Sequence, residues 1–305
     1  MSDPKGPADE NNIEKDNKNV NKKHIINSVR KENIEIFLDT INFINEDNYL
    51  SNAVEESVKK TVIYNKGIEV LNKFGKPEEV RVNQCRSFEA AIKLHNEFPN
   101  KRIGVLNFAS ATTPGGGVTN GSTAQEESLC RVSTLYNVLN TQYLFDHFYN
   151  LNRNKNNPLH DDTVIYSPDI VICKSDSDKP IRLKKEDFIK VDVLTCAAPN
   201  LREKPWNLYN FDGDVPIIVS DDDLYQIHIK RAKRILDVAL INNIDILVLG
   251  AFGCGAFKNN PYVVAKAYKD TLKKYKNCFE VIEFAIFTSE YNKENYYAFK
   301  SIINN

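Results

Sequence analysis

Hydrophobic and polar positions alternate with two different periods along most of the chain. Residues 79–84 read as a strand and 87–97 as a helix, with Phe88, Ala91, Ile92 and Leu94 on one face. Residues 102–108 are almost continuously apolar, as in a strand buried on both faces. Beyond them Ala124, Leu129, Val132, Leu135, Val138 and Leu139 recur at helical spacing, predicting one helix over 124–149 that starts near Ser122 or Thr123. An Asn-rich loop then leads to His160. One or two short strands follow over 163–173, broken at Ser167 and Pro168, and another strand over 188–196. Residues 224–241 form a strongly amphipathic helix and 245–249 a buried strand. Pro261 opens a helix to about residue 275, residues 279–287 form a strand, and 293–303 a closing helix. Strands alternating with helices predict an α/β fold, a mixed and largely parallel sheet with helices on both faces.

The pattern is different before residue 79. Residues 1–23 are rich in Asn, Lys, Asp and Glu and are expected to be a disordered polar tail. Residues 24–78 carry Ile25, Val29, Ile34, Phe37, Ile41 and Ile44 and are expected to be a helical accessory segment. That leaves 79–305 as the main domain.

Composition narrows the partners. A chain of 305 residues with 42% hydrophobic content can bury a sizeable core. Forty basic and 41 acidic residues leave a net charge of −1, so no general attraction to DNA or to an anionic membrane is expected, and an anionic ligand must be held locally. The six cysteines show no CxxC pair and read as buried free thiols of a reducing compartment. The five histidines show no metal-ligand spacing, so no metal and no cofactor is expected. No signal-peptide core and no long apolar run is visible, which predicts a soluble, intracellular protein, cytoplasmic with the nucleus not excluded. A monomer is expected.

Two glycine loops stand out. Gly115, Gly116 and Gly117 give up side-chain packing at three consecutive positions, as expected where backbone must touch a ligand. Gln125, Glu126 and Glu127 follow at a helix start. Thr123 with Glu126 fits a capping box, and acidic residues suit a helix N-terminus. After a glycine run, however, the N–H groups suit phosphate oxygens and the carboxylates suit an attached sugar. In the second loop Gly250 and Gly255 have Walker A spacing, but Ala256 stands where the lysine must be, and Gly253-x-Gly255 lacks the third glycine of a dinucleotide fingerprint. Both loops leave the C-terminal ends of predicted buried strands, the edge where ligands bind in open α/β sheets. Together they suit a diphosphate, and hence a nucleotide-sugar diphosphate.

The segment from Leu106 through Asn107, Phe108, Ala109 and Ser110 to the glycine triplet and Val118, followed after seven residues by Gln125, Glu126 and Glu127, resembles the signature of bacterial-type poly(ADP-ribose) glycohydrolases of the macrodomain fold. Residues 193–200 and 250–261 resemble the corresponding segments of that family, and the likeness spans about 80–287. The resemblance implies ADP-ribose as ligand, with Gly115, Gly116, Gly117 and Val118 on one side of the diphosphate and Gly253, Cys254, Gly255, Ala256 and Phe257 on the other. It implies Glu127 against the ribose–ribose glycosidic bond, Glu126 on a ribose hydroxyl, Gln125 in the same site, and Phe257 orienting the terminal ribose. Ser110 stands where animal family members carry an asparagine, and Asn107 is the residue available to replace it.

Adjacent helical residues point about 100° apart, which suggests that Glu126 and Glu127 divide binding from catalysis. One carboxyl must then act as acid on the leaving ribose oxygen and as base on the incoming water. The expected activity is cleavage of ribose–ribose bonds of poly(ADP-ribose). Alternatives are removal of ADP-ribose from a protein side chain or a nucleic-acid base, a non-catalytic reader of ADP-ribose, and an interaction domain using the N-terminal helices. The expected partners are poly(ADP-ribose) or ADP-ribosylated macromolecules, without membrane or sequence-specific DNA binding. Elsewhere, Asp221, Asp222 and Asp223 read as a solvated helix start, Trp206 as a cap on the core, and Tyr291, Tyr296 and Tyr297 as packing.

Overall fold

The fold is described by a computed structural model over residues 10–68, 70, 75, 78–205, 217–288 and 293–304, with side chains from residue 26 onward. Seven strands form one sheet among these residues: β1 (Val62–Tyr64), β2 (Glu79–Asn83), β3 (Ile103–Phe108), β4 (Val164–Ile172), β5 (Ile189–Cys196), β6 (Ile246–Leu249) and β7 (Val281–Ala285). Their order is β1-β4-β5-β3-β6-β7-β2. The five strands from β5 to β2 are parallel, and β4 and β1 extend the sheet antiparallel to their neighbours. The mixed, largely parallel sheet read from the sequence is therefore present.

The apolar run of β3 divides between two core layers. Ile103 and Val105 enter one layer and Leu106 the other, and in β6 Ile246 and Val248 oppose Leu247 and Leu249 in the same way. Helices α1 (Glu10–Glu46), α2 (Asn48–Lys60), α3 (Ser87–Glu97), α4 (Gln125–Val132) and α5 (Leu135–Leu139) contribute to the first side. The chain continues through α6 (Gln142–Leu144), a π-helical turn and α7 (Asn150–Lys155). Helices α8 (Asp221–Ile241), α9 (Pro261–Leu272) and α10 (Glu294–Ile303) cover the opposite face. Ser220 caps α8, its hydroxyl accepting from Asp223 N at 3.1 Å, while the three aspartates of the first turn are exposed. Asn260 caps α9, with Pro261 at its first position.

Several boundaries differ from the expectation. The single helix over 124–149 is broken at Ser133, whose backbone is extended. The Ser133 hydroxyl donates to Leu129 O at 2.8 Å and accepts from Leu135 N at 3.2 Å, and the Thr134 hydroxyl accepts from Val171 N at 3.0 Å. Two successive hydroxyl residues thus divert the backbone into a bridge with the end of β4. At the other end, α1 runs through residues 10–23, where a disordered tail is expected. No Gly or Pro interrupts 10–46, so nothing ends a helix whose later turns are packed.

The segment 24–78 is also not purely helical or merely accessory, because β1 is the edge strand of the sheet and Phe37 belongs to the core beside β3. Ser57 Oγ donates to Pro168 O at 2.6 Å, and the buried Lys174 pairs with Asp39 at 2.6 Å. All six cysteines are free and buried, and burial pushes Cys85, Cys173 and Cys196 each up to about 12. Tyr296 packs against the core, but Tyr297 is 58% exposed, contrary to expectation. Trp206 and Tyr291 lie outside the described residues. Among the described residues no helix is long and apolar enough to cross a membrane, and no group of three or more His, Cys, Asp or Glu is placed to hold a metal ion.

Candidate active site

Parallel packing brings the C-terminal ends of β3 and β6 to the same edge of the sheet, and each runs into one of the glycine loops. Where β3 ends, Gln125 takes over its pairing. Its amide oxygen accepts from Phe108 N at 2.9 Å, and its amide nitrogen donates to Leu106 O at 2.8 Å and to Ser87 Oγ at 3.0 Å. Gln125 therefore seats the first turn of α4 on the strand end, a role invisible in its sequence neighbourhood. The helix starts at Gln125 with Ala124 at the cap and no side-chain cap bond, so the Thr123–Glu126 capping box does not form.

Glu126 turns inward instead. It is buried, and it accepts from Ser110 N at 2.7 Å, from the Asn107 amide at 3.3 Å, and from Gly115 N. Burial, and then the neighbouring Glu127 charge, push Glu126 well above the ordinary carboxylate range despite these three donors. Glu127 is 7% exposed, and its Oε1 accepts from Gly117 N at 2.8 Å. Although their Cα–Cβ bonds diverge, the two carboxylates converge on one point. A Cβ placed on Gly116 would lie 2.7 Å from Glu127 Oε1 and 3.0 Å from Glu126 Oε2. Gly116 also has φ +57 and Gly115 φ +65, where a Cβ at the latter would press on Tyr136 at 2.8 Å. Gly116 thus lets backbone fold directly over the two acids, while a Cβ on Gly117 would press first on Ser122.

This packing changes what the first loop offers a ligand. Its N–H groups are engaged inside the protein: Gly115 with Glu126, Gly116 with Thr113 O at 3.0 Å, Gly117 with Glu127, and Val118 with Gly115 O at 3.1 Å. The second loop is the reverse. Among the described residues no protein acceptor takes the N–H of Gly253, Gly255, Ala256 or Phe257. Gly253 has φ +79, and a Cβ there would meet Ala198 at 2.7 Å. Asn259 stitches this loop, its amide nitrogen donating to Pro199 O at 2.6 Å, Gly253 O at 3.1 Å and Phe257 O at 3.2 Å.

Both loops line one cavity of about 870 Å³, within the range of small-molecule sites. Ser110, Gly116, Gly117, Gln125, Glu126, Glu127, Gly253, Gly255, Ala256 and Phe257 all reach its wall. Asn107, Val118 and Cys254 are buried behind it, and Gly115 is also absent from the lining. Several contributors carry no sequence signal. His160, with φ 57, places its ring 6.4 Å from Phe257, and burial lowers its pKa to about 4. Arg231 is fully buried and donates to Asp162 at 2.8 Å, Leu159 O at 2.7 Å and Ala197 O, bracing the loop that carries His160. Arg86, Arg153 and Arg202 also face the cavity. They come from three separate segments that meet only in the fold, so no local spacing marks them.

A mixed sheet with two glycine loops closing on a carboxylate-bearing cavity defines the macrodomain-like α/β class. Within it, residues 32–175 match the family model described as microbial-type PARG, catalytic domain. The structure of poly(ADP-ribose) glycohydrolase from Thermomonospora curvata is similar to this chain with a TM-score of 0.73 and 26% identity, covering 88% of this chain and 98% of that one. The same enzyme bound to the inhibitor ADP-HPD gives 0.70 and 25%, with the same coverage. Poly(ADP-ribose) glycohydrolase from Deinococcus radiodurans in complex with ADP-ribose gives 0.66 and 27%, covering 82% of this chain and 96% of that one. No curated protein sequence matches the chain. The relationship is to bacterial poly(ADP-ribose) glycohydrolases.

Proposed function

We propose that this protein is a poly(ADP-ribose) glycohydrolase that cleaves ribose–ribose O-glycosidic bonds and releases ADP-ribose, with Glu127 as acid and then base. The observation that carries this reading is Glu127 itself. Its carboxylate is clamped at one oxygen by the Gly117 N–H on the wall of the cavity that Phe257 and the unpaired N–H groups of the second loop also line. A carboxyl fixed in this way can meet one particular bond of a bound sugar.

In the proposed reaction the Glu127 carboxyl gives its proton to the ribose oxygen that leaves with the rest of the polymer. The anomeric carbon develops oxocarbenium character as that bond breaks. The carboxylate then takes a proton from water attacking the same carbon, which restores the acid and yields free ADP-ribose. Glu126 holds a ribose hydroxyl, supported from behind by Asn107 and Ser110. The N–H groups at Gly253, Gly255 and Ala256 take the diphosphate, and Phe257 packs on the terminal ribose. Gly116 and Gly117 serve chiefly by letting the acids approach the ligand without an intervening side chain.

The direct test is to incubate the purified protein with poly(ADP-ribose) and measure released ADP-ribose. Turnover supports the glycohydrolase, whereas tight binding of the polymer without release would make the protein a reader. A chain that releases ADP-ribose only from modified protein or nucleic acid would redirect the proposal to another acceptor.

A further inference from the structure

A pyrophosphate entering this cavity meets two carboxylates and, with the first loop's N–H groups engaged internally, only one backbone cradle. The overall charge of −1 supplies no compensating field, so positive charge must come from the wall itself. Four arginines line the cavity. Arg30 is exposed on α1. Arg86 is ion-paired with Asp178, and Arg153 donates to Thr112 O at 2.8 Å and to Asn150 Oδ1 at 2.9 Å.

Arg202 is different. It is half-buried, its Nε donates to Asn200 Oδ1 at 2.9 Å, and neither terminal nitrogen has a partner among the described residues. Burial disfavours its charge, and no acidic group offsets that. Its guanidinium lies 5.7 Å from the Phe257 ring centroid. The loop that carries it is tied to both neighbours, through Leu201 N to Phe257 O at 2.9 Å and Asn200 N to Pro158 O at 2.8 Å. The guanidinium is thus held against Phe257, the residue that follows Gly255 and Ala256 in the second loop, and among the described residues its two terminal nitrogens and the N–H groups of Gly255 and Ala256 have no protein partner.

Resting on the function proposed above, we infer that Arg202 is the cationic half of the diphosphate subsite, its terminal nitrogens gripping one phosphate while the second loop's N–H groups hold the linkage from the other side. A planar fork suits phosphate oxygens, and Nε anchoring by Asn200 leaves the correct edge free. Arg202 is a binding and positioning residue that fixes the sugar relative to Glu127 through the phosphate.

The test is to titrate ADP-ribose into the full chain, Arg202→Gln and Arg202→Lys at several salt concentrations, and to measure KM and kcat on poly(ADP-ribose). Arg202→Gln should weaken ADP-ribose binding roughly tenfold or more and flatten its salt dependence. KM should rise more than kcat falls. Arg202→Lys should keep the salt dependence while recovering only part of the affinity. Binding by Arg202→Gln within twofold of the unmodified chain would overturn the assignment. So would weakened binding with an unchanged salt dependence, which would mark a structural role. Both results leave the glycohydrolase reading intact, whereas an unmodified chain that does not bind ADP-ribose would remove both.

Discussion

Gly116 and Glu127 are packed so closely that a single added methyl at residue 116 would come within 2.7 Å of the carboxylate oxygen Oε1. The glycine is therefore a condition for the acid's position, and its φ of +57 adds a second constraint. Gly116→Ala should destabilise the fold by about 3 kcal/mol, combining left-handed backbone strain with overpacking. Activity should fall further than stability explains, because the acid is displaced. Thermal unfolding alongside turnover checks this, and a stable, fully active Gly116→Ala would contradict it.

The amide of Gln125 makes three hydrogen bonds that join α4 to the end of β3 and to Ser87. Gln125→Ala leaves the Phe108 N–H and Leu106 carbonyl without partners. Chemical denaturation should show a loss of roughly 2–3 kcal/mol. Gln125→Glu should be poor as well, since it removes the donor that Leu106 O needs.

Glu126 links the site to pH. Its folded pKa is raised above the ordinary 4.5, so the folded chain binds this proton more tightly than the unfolded chain does. The resulting stability is fully present below about pH 4.5 and is lost as pH rises through the folded value. Glu126→Gln keeps the shape without the titration. Its stability relative to the unmodified chain should therefore improve as pH increases, read as a difference in Tm between acidic and alkaline buffers. Parallel pH profiles would show that Glu126 ionises in the folded state at its usual pKa.

His228 acts with the opposite sign. Burial and the nearby Arg231 charge lower it from 6.5 to about 4, while a bond with Asn259 at 2.8 Å opposes the shift. Its contribution is present above pH 6.5 and lost as pH falls through about 4, amounting to about 3 kcal/mol. His228→Gln should flatten acid denaturation in that window, and an unchanged acid limb would argue against it.

The N-terminal helices should be inseparable from the catalytic part. Thr40 Oγ1 bonds the Arg131 carbonyl at the end of α4, Asn33 reaches Gly121 O at 3.1 Å, and Phe37, Ile44 and Leu50 are buried. A chain beginning at residue 61 should fail to fold, and Thr40→Val should lower stability by about 1–3 kcal/mol by leaving Arg131 O without its partner. A truncated chain with a cooperative unfolding transition would restore the idea of an accessory segment.

These relationships show what a sequence can reveal here. The strands at 103–108 and 246–249 were legible because both faces are buried and the run is continuously apolar. The glycine triplet and the Glu pair were legible because so many packing positions are given up at once. Strand β1 was missed because three residues on a sheet edge carry no periodic signal. The break at Ser133 was missed because helical spacing resumes beyond it, and the Ser133 and Thr134 hydroxyl bonds that turn the chain, the latter to Val171, form only in the fold. The direction of the Glu126 and Glu127 side chains was misjudged from Cα geometry, since a glutamate has enough bonds to bend back toward its neighbour. Asn259, Arg231 and Arg202 were invisible because each acts on loops that meet only after folding.

The central claim is that Glu127 acts on the glycosidic bond and does not merely shape the cavity. Its most direct test is Glu127→Gln, which preserves the packing against Gly116 and removes the proton, with poly(ADP-ribose) turnover and ADP-ribose binding measured on the same preparation. We predict turnover reduced by about 10²–10⁴, with ADP-ribose affinity nearly unchanged. A variant that retains full turnover would contradict the assignment of the acid.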